Sequence, residues 1–339
     1  MADVIIIGAG PAGLSAAIYV QRAGKQALVL EAMTFGGQIV NTPEVQNYPG
    51  IKSISGFDFA MALYEQASAL GAEIVFEKAV RIEDAVEDTA FAASDTEEAP
   101  AAGSTLKKVV TAGGASYVAP AVILATGARN RRLGIEKELE LTGSGVSYCA
   151  TCDGAFFKGK DVAVNGGGNT ALEDAMFLSN YCSKVYVVHR REGFRGEPQT
   201  LEALRAKENV EFVLNATVTG LISRIGSSED SEEVPGGIRK DKLSGIEVTD
   251  TRTGETREIP VKGLFIAIGQ EPENQGFADV VTLDKAGYIT AGEDCLTGTP
   301  GIFTAGDCRT KQVRQLTTAA SDGAVAALAA CSYIDYNAQ

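Results

Sequence analysis

Two stretches of this chain repeat one pattern, and that pattern limits the possible folds more than anything else in the sequence. The first runs from an apolar segment, Asp3 to Ile7, into Gly8-Ala-Gly10-Pro11-Ala12-Gly13. A helix-forming stretch comes next, Leu14 to Arg22, then a second apolar segment, Ala27 to Leu30, ending at Glu31. The second copy has Val162 to Val164, the turn Gly166-Gly-Gly168-Asn169-Thr170-Ala171, a helix-forming stretch Leu172 to Ser179, and Val185 to Val188, ending in His189-Arg190-Arg191. Each reads as strand, glycine turn, helix, strand: a βαβ unit. The G-x-G-x-x-G/A turn carries meaning only in that context. The first Gly permits a sharp turn, the second lets backbone approach a pyrophosphate, and the third lets helix pack on strand. The helix N-terminus then faces the phosphate charge. Two copies imply two nucleotide ligands and a duplicated fold.

At 339 residues, with 38 glycines and 45% hydrophobic residues, the chain suits an α/β protein of two domains. Two further apolar segments end alike, at Ala125-Thr126-Gly127 and at Ala267-Ile-Gly269, and they bracket the second βαβ unit. The expected architecture is a pair of Rossmann-like nucleotide-binding domains, one inserted in the other and joined by two crossover strands. Residues 1–127 and 268–339 form the outer domain and 128–267 the inserted one. Gly301 to Asp307 and an apolar helix, Thr317 to Ile334, complete the outer domain. Two polar stretches, Glu83 to Gly103 and Gly226 to Lys242, read as solvated loops between hairpin strands.

Formal net charge is −14, which repels phosphate backbones and excludes nucleic acid as an expected partner. The N-terminus enters a strand directly, without signal-peptide features, and no apolar run is long enough to cross a bilayer. A cytoplasmic location is expected, and structural disulfides are rare there. Cys182, Cys295, Cys308 and Cys331 are scattered and read as ordinary thiols. Only Cys149 and Cys152 form a pair. Zinc would need two more Cys or His ligands, and the chain has no second CxxC and one histidine. No metal is expected, and the pair reads as redox-active. Asp153, next in sequence, is placed to serve as proton donor or acceptor for thiol–disulfide exchange.

The two nucleotide sites differ at the end of the second strand. Glu31, 18 residues after Gly13, suits ribose hydroxyls and repels a 2′-phosphate, so this site suits FAD or NAD and not NADP. At the other site Arg190, Arg191 and nearby Arg195 can fork onto a 2′-phosphate. His189 reads as part of that phosphate pocket. Together these features assign FAD to the first site and NADPH to the second.

The string Cys149-Ala-Thr-Cys152-Asp153-Gly154, set just before the second glycine turn and followed by His-Arg-Arg, resembles the bacterial low-molecular-weight thioredoxin reductases. These are class II pyridine nucleotide-disulfide oxidoreductases. The resemblance runs from Asp3 to about Leu328; Gly36-Gly37-Gln38, Asn47-Tyr48-Pro49-Gly50, Ala125-Thr126-Gly127, Gly306-Asp307 and Arg314-Gln315 match in order. It implies an FAD/NAD(P)-binding fold, the NADPH domain inserted in the FAD domain, and a homodimer with one non-covalent FAD per subunit. It implies that Glu31, Ala32, the stretch to Gln38, and Asn47 line the FAD, with Val80 and Thr126. Asp307 would bond the ribityl chain, the backbone near Gln315 would approach the isoalloxazine, and Arg314 and Leu316 flank it. Cys152 would lie nearer the flavin than Cys149. The implied activity carries two electrons from NADPH through FAD and the Cys149–Cys152 disulfide to thioredoxin or a thioredoxin-like protein.

Three positions depart from that family: Asn165 replaces an apolar residue before the glycine turn, Ser144 a docking arginine, and Ala155 a phenylalanine. They bear on the identity of the docking partner. A ferredoxin-driven flavin reductase would not need Arg190, Arg191 and Arg195. A ferredoxin–NADP⁺ reductase would lack Cys149 and Cys152, and a peroxiredoxin reductase subunit would add a second CxxC. A nucleotide-sensing regulator would have no reason to keep the thiols with Asp153. Motif order also predicts motion: nicotinamide and disulfide share the inserted domain, and both must reach one flavin in the other. Hinges are expected near Gly127 to Arg129 and Ala267 to Gln270.

Overall fold

The computed structural model describes residues 2–85, 106–225 and 241–337. The chain divides into two compact units, Met1–Arg129 with Glu271–Gln339, and Asn130–Gln270. The expected loop residues 86–103 and 226–240 lie outside the described residues. Their edges are strand rather than loop, because Glu83, Asp84, Asp241 and Lys242 all belong to antiparallel ladders.

The first unit opens with β1 (Val4–Ile7), α1 (Pro11–Arg22) and β2 (Ala27–Leu30). The helix begins three residues before the apolar pattern does, at Pro11. Proline's fixed φ suits the first helical position, and the N–H it lacks would be unsatisfied there anyway. Next come α2 (Gly56–Ala69), capped by the Ser55 hydroxyl accepting from the Asp58 N–H at 3.0 Å, and β3 (Glu73–Val75). A meander comes after it, β4 (Ala79–Asp84), β5 (Lys107–Thr111) and β6 (Ser116–Ala119), then β7 (Ala121–Leu124).

The chain crosses along β8 (Ala128–Asn130). The second unit holds β9 (Val146–Ser147), the short helix α3 (Ala150–Asp153), β10 (Asp161–Asn165) and α4 (Asn169–Leu178). It continues with β11 (Lys184–His189), α5 (Pro198–Arg205), β12 (Val210–Leu214), the long pair β13 (Ala216–Ile225) and β14 (Asp241–Asp250), β15 (Thr256–Ile259) and β16 (Gly263–Ile266). The return is β17 (Gln270–Pro272), and the first unit closes with β18 (Ile302–Thr304) and α6 (Leu316–Asn337).

Each unit is built on a five-stranded parallel sheet, ordered β3-β2-β1-β7-β18 in the first and β12-β11-β10-β16-β9 in the second. β1, β2, β7 and β16 are buried at every residue, as strands covered on both faces require. Alternation sorts the side chains. Ile6, Val29 and Ile123 face α1 and α6, while Ile5, Leu28 and Val122 face the β4-β5-β6 meander. In the second unit Val162, Val164 and Phe265 meet α4, while Ala163, Leu264 and Ile266 meet the antiparallel β13-β14-β15 sheet.

The expectation that the segments at 121–127 and 263–269 are crossover strands is corrected. β7 and β16 sit inside the two sheets, hydrogen-bonded to the central strands β1 and β10. The crossings are β8 and β17, which pair with one another as a two-stranded ribbon. A short apolar run bounded by glycine reads alike whether it enters a sheet or leaves one.

Candidate functional site

The two glycine turns match at their first and second positions. Ile7 and Asn165 end the central strands, paired with Leu124 and Ile266. A Cβ on Gly8 would stand 2.4 Å from the Ala125 carbonyl oxygen, and one on Gly166 would stand 2.3 Å from that of Ala267. Gly8 also has φ +109°, which an L side chain resists. At the third position a Cβ on Gly13 would meet the Gly8 carbonyl at 1.8 Å, while Ala171 is buried beneath Gly166. The middle glycines differ in kind. Gly10 and Gly168 are the N-cap residues of α1 and α4, with ordinary extended backbone, and a Cβ on either would meet nothing within 4 Å. The fold needs the first position bare; only a ligand needs the second bare.

Around the first turn, Glu31 accepts the Ala9 N–H on Oε2 (2.8 Å) and the Met33 N–H on Oε1 (3.0 Å), with Ala32 exposed between them. The Gly36 N–H reaches the Ala9 carbonyl at 2.7 Å, and Gly37 lies against Gly10. Gln38 donates to the Ala128 carbonyl, and Asn47 Nδ2 donates to Gln315 Oε1 at 3.1 Å. All of these residues belong to the first unit. Thr126 donates to Asn274 Oδ1 at 2.8 Å, and Gly127 is next, with open space where a Cβ would stand. Arg314 donates to the carbonyls of Asp307 (3.3 Å) and Arg309 (3.2 Å), its guanidinium 4.2 Å from the Tyr288 ring centroid. Leu316 opens α6. Val80, on β4, has an exposed side chain, and its carbonyl lies close to Gly276.

Asp307 is the informative group. Its Oδ1 is buried with no hydrogen-bond partner, and burial pushes its pKa upward against the pull of Lys311 and Arg314. Native proteins rarely leave such an atom unsatisfied. A ligand hydroxyl would complete it, so the donor set fits a ribityl chain.

At the second turn, β-sheet register places His189 where Glu31 stands at the first: each comes just after the residue paired with the end of the central strand. The imidazole packs under the turn, so that a Cβ on Gly167 would strike the ring at 2.1 Å. It stacks on Phe194 and donates from Nε2 to the Gly193 carbonyl at 3.2 Å. Burial holds its pKa below the ordinary range, and the neighbouring arginines add to that against the Gly193 bond. His189 thus supports the turn as a neutral ring, and the positive charge comes from the arginines. The loop after β11 returns to the turn through the Arg195 N–H to the Gly167 carbonyl (2.8 Å) and the Glu197 N–H to Asn169 Oδ1 (2.8 Å). Arg190, Arg191 and Arg195 are exposed there, and among the described residues none holds a carboxylate. Thr170 is exposed in the first turn of α4.

Cys149 and Cys152 form a disulfide, with Cα atoms 5.3 Å apart. Cys149 is the N-cap of α3, its sulfur accepting the Cys152 N–H at 3.2 Å. Asp153 ends that helix half-buried. Burial raises its pKa, and the Ser147 hydroxyl, donating to Oδ2 at 2.6 Å, works against the rise. A Cβ on Gly154 would lie 2.1 Å from the Tyr181 hydroxyl that packs over it, so a side chain there would have to displace the tyrosine.

A model of the pyridine nucleotide-disulphide oxidoreductase family matches residues 2–323. Thioredoxin reductases from Listeria monocytogenes and Bacillus subtilis are 40% and 38% identical to the chain over 98% of its length, covering 94% and 95% of theirs. The chain belongs to this family, among its thioredoxin reductases. The crystal structure of the thioredoxin reductase from Streptococcus pyogenes agrees with it at a TM-score of 0.84 and 35% identity, with 99% of each chain covered. The α/β fold with parallel sheets and the disulfide-bonded cysteine pair are those of an oxidoreductase acting on disulfides.

Several residues that shape the site in this family member give no sign in the sequence. Asn274, fully buried, accepts from Thr126 and donates to the carbonyls of Gly287 (2.9 Å) and Cys308 (2.8 Å), tying Thr126 to the Asp307 turn. Asp322, on α6, accepts the Gly306 N–H (2.9 Å), two bonds from buried Arg309 (2.8 Å each) and one from Lys311 (2.9 Å). Burial opposes its charge, but these bonds hold its carboxyl below the usual range. Ser147 is the third such residue, in a two-residue strand. The four other cysteines are free and buried, and burial pushes the Cys182 thiol up to about 11 and Cys295 up to about 12; such thiols are inert.

Proposed function

We propose that the chain is a thioredoxin-disulfide reductase that passes two electrons from NADPH, through one FAD held per chain, to the Cys149–Cys152 disulfide and on to a thioredoxin disulfide. The observation that carries this reading is the disulfide itself, closed on a helix N-terminus with a half-buried carboxyl next to it, in the same unit as an arginine-flanked nucleotide turn. The working state we read is a homodimer, carried over from the family resemblance.

Gly10 and the N-terminus of α1 would receive the FAD pyrophosphate, Glu31 the ribose hydroxyls and Asp307 Oδ1 the ribityl chain. When bound, FAD would supply hydride acceptance from a nicotinamide and two-electron transfer to a disulfide. Gly168 and α4 would receive the NADPH pyrophosphate, with Arg190, Arg191 and Arg195 on the 2′-phosphate. At the thiols, Asp153 moves the proton. One thiol gives its proton to the carboxylate and attacks the partner disulfide, forming a mixed disulfide and a leaving thiolate that the same proton neutralises. The second thiol then closes the Cys149–Cys152 bond, releasing the partner's second sulfur, which takes up the second thiol's proton. Oδ2 is held by Ser147, so Oδ1 is the atom left for this transfer.

The test is anaerobic titration of the purified protein, which should be yellow. NADPH should bleach the flavin of wild type, Cys149→Ser and Cys152→Ser alike, because hydride transfer precedes the thiols. Only wild type should reduce thioredoxin. Thioredoxin reduction at wild-type rate by both serine variants would sink the reading.

A further inference from the structure

We infer that Ser147 is a positioning residue of the thiol–disulfide step: its hydroxyl ties the proton-carrying carboxyl of Asp153 to the backbone of Cys149. This role rests on the proposed thioredoxin-reducing activity and belongs to a group that neither the CxxC spacing nor Asp153 reveals. Ser147 is 4% exposed and lies on β9, which pairs with β16 in the parallel sheet. The hydroxyl is therefore anchored to the rigid part of the unit, whereas α3 is a four-residue helix. Its Oγ donates to Asp153 Oδ2 at 2.6 Å, much closer than the competing Cys149 carbonyl at 3.3 Å, and accepts the Cys149 N–H at 3.1 Å. A hydroxyl has one proton to give and lone pairs to receive, and this one uses both capacities on the redox segment. One side chain thereby sets where the carboxyl stands relative to the cysteine and which oxygen remains for proton transfer.

The chemistry requires such a group. Asp153 is half-buried, and burial alone favours its neutral form. A carboxyl that must accept a thiol proton has to be ionised at that moment, and a hydrogen bond to the charged form favours ionisation. Ser147 is the group opposing burial. The other titratable groups near α3 do not take its place. Glu173 and Asp174 on α4 are carboxyls, Asp174 itself pushed up to about 7 by burial and then by Glu173. The Tyr181 hydroxyl packs on Gly154 without a hydrogen-bond partner. Tyr148 donates to Glu138 at 2.8 Å. Among the described residues the Ser147 hydroxyl is the one group opposing the rise.

Without the Ser147 bond, the Asp153 carboxyl ionises at higher pH, so the limb of rate that rises with its ionisation moves to higher pH. Ser147→Ala and Ser147→Thr are compared with wild type in the thioredoxin-reducing half-reaction across pH, with flavin bleaching by NADPH measured on the same samples. Ser147→Ala is expected to bleach normally and to keep its KM for thioredoxin. Its turnover should fall roughly tenfold at the foot of the rising limb, the scale of one hydrogen bond to a charged group, and approach wild type above it. Ser147→Thr, which keeps the hydroxyl, should restore the profile. A Ser147→Ala profile that superimposes on wild type overturns the proposal, as does a uniform loss at every pH that threonine fails to rescue. Cys152→Ser is run alongside. Its failure with an unmoved Ser147→Ala profile removes only the positioning role, whereas thioredoxin reduction by Cys152→Ser removes the underlying reading as well.

Discussion

At the scale of single residues, charge at the second turn is set by groups that face solvent. Arg190, Arg191 and Arg195 lie on a loop pinned to the glycine turn through backbone bonds and have no carboxylate partner among the described residues. Their guanidiniums are thus free to bind an anion without first breaking an ion pair. NADPH and NADH differ only in the 2′-phosphate. A hydrogen bond to a charged group contributes about 1.5–3 kcal/mol, so Arg190→Ala or Arg191→Ala should weaken NADPH by roughly ten- to a hundredfold and leave NADH nearly unchanged. Equal losses for both nucleotides, measured by anaerobic flavin bleaching, would show that these side chains do not read the phosphate. The buried charges behave differently. Removing Arg309 would leave the buried Asp322 carboxylate with Lys311 and the Gly306 N–H alone, and losing one partner of a buried ion pair costs more than the pair contributes.

Elements carry the next level, and the glycine turns separate what the fold needs from what a ligand needs. Gly8 and Gly13 are closed in by backbone, whereas Gly10 and Gly168 open onto empty space at helix N-termini. Gly10→Val should therefore fold, with thermal stability near wild type, and purify without flavin. Gly168→Val should keep its flavin and lose bleaching by NADPH. Gly13→Ala should fail to give soluble protein, because its Cβ would lie 1.8 Å from a carbonyl oxygen. A Gly10→Val protein with full FAD content, assayed by absorbance against protein concentration, would rule out the first turn as the pyrophosphate site. The α1–α6 contact belongs here too. A Cβ on Gly323 would strike the Ala12 carbonyl at 2.2 Å, so the first helix is held against the last by a residue that sequence pattern alone gives no reason to single out.

For the whole molecule, we predict motion from the proposed distribution of chemistry over two units. The cysteine pair and the arginine-flanked turn share one unit, and the Asp307 cradle is in the other. Hydride and thiol transfer each need reacting atoms roughly 3–3.5 Å apart, and the dithiol must afterwards meet a protein disulfide. One rigid arrangement cannot serve three encounters, and hinged domains are an ordinary means of gating. The chain crosses only at Arg129–Asn130 and Gln270–Glu271, where β8 and β17 pair. A disulfide or bifunctional crosslink between the units should stop multiple turnover while sparing one half-reaction in single-turnover stopped flow. Full turnover in a protein shown to be completely crosslinked would refute the motion.

The sequence by itself determined the two βαβ units, the different charge at the end of each second strand, and the redox pair. All three depend on residues within some thirty positions of one another, where turn geometry, strand alternation and CxxC spacing act locally. Tertiary structure alone decided the rest. Asn274 bonds Thr126 across 148 positions and Ser15 reaches Ala320 across 305; no local pattern selects such partners. Ser147 looks like any serine until β9 joins the sheet beside β16 and turns its hydroxyl toward Asp153. The matching places of Glu31 and His189 are legible in the sequence, but that the imidazole is buried under the turn, leaving the charge to its neighbours, is not. The chain crosses beside the expected hinges, Gly127 to Arg129 and Ala267 to Gln270, but the pairing of the two crossing strands was hidden for the same reason. β7 and β16 read as exits because a short apolar run carries no mark of its neighbours, and neighbours in a sheet are chosen by packing, not by sequence order.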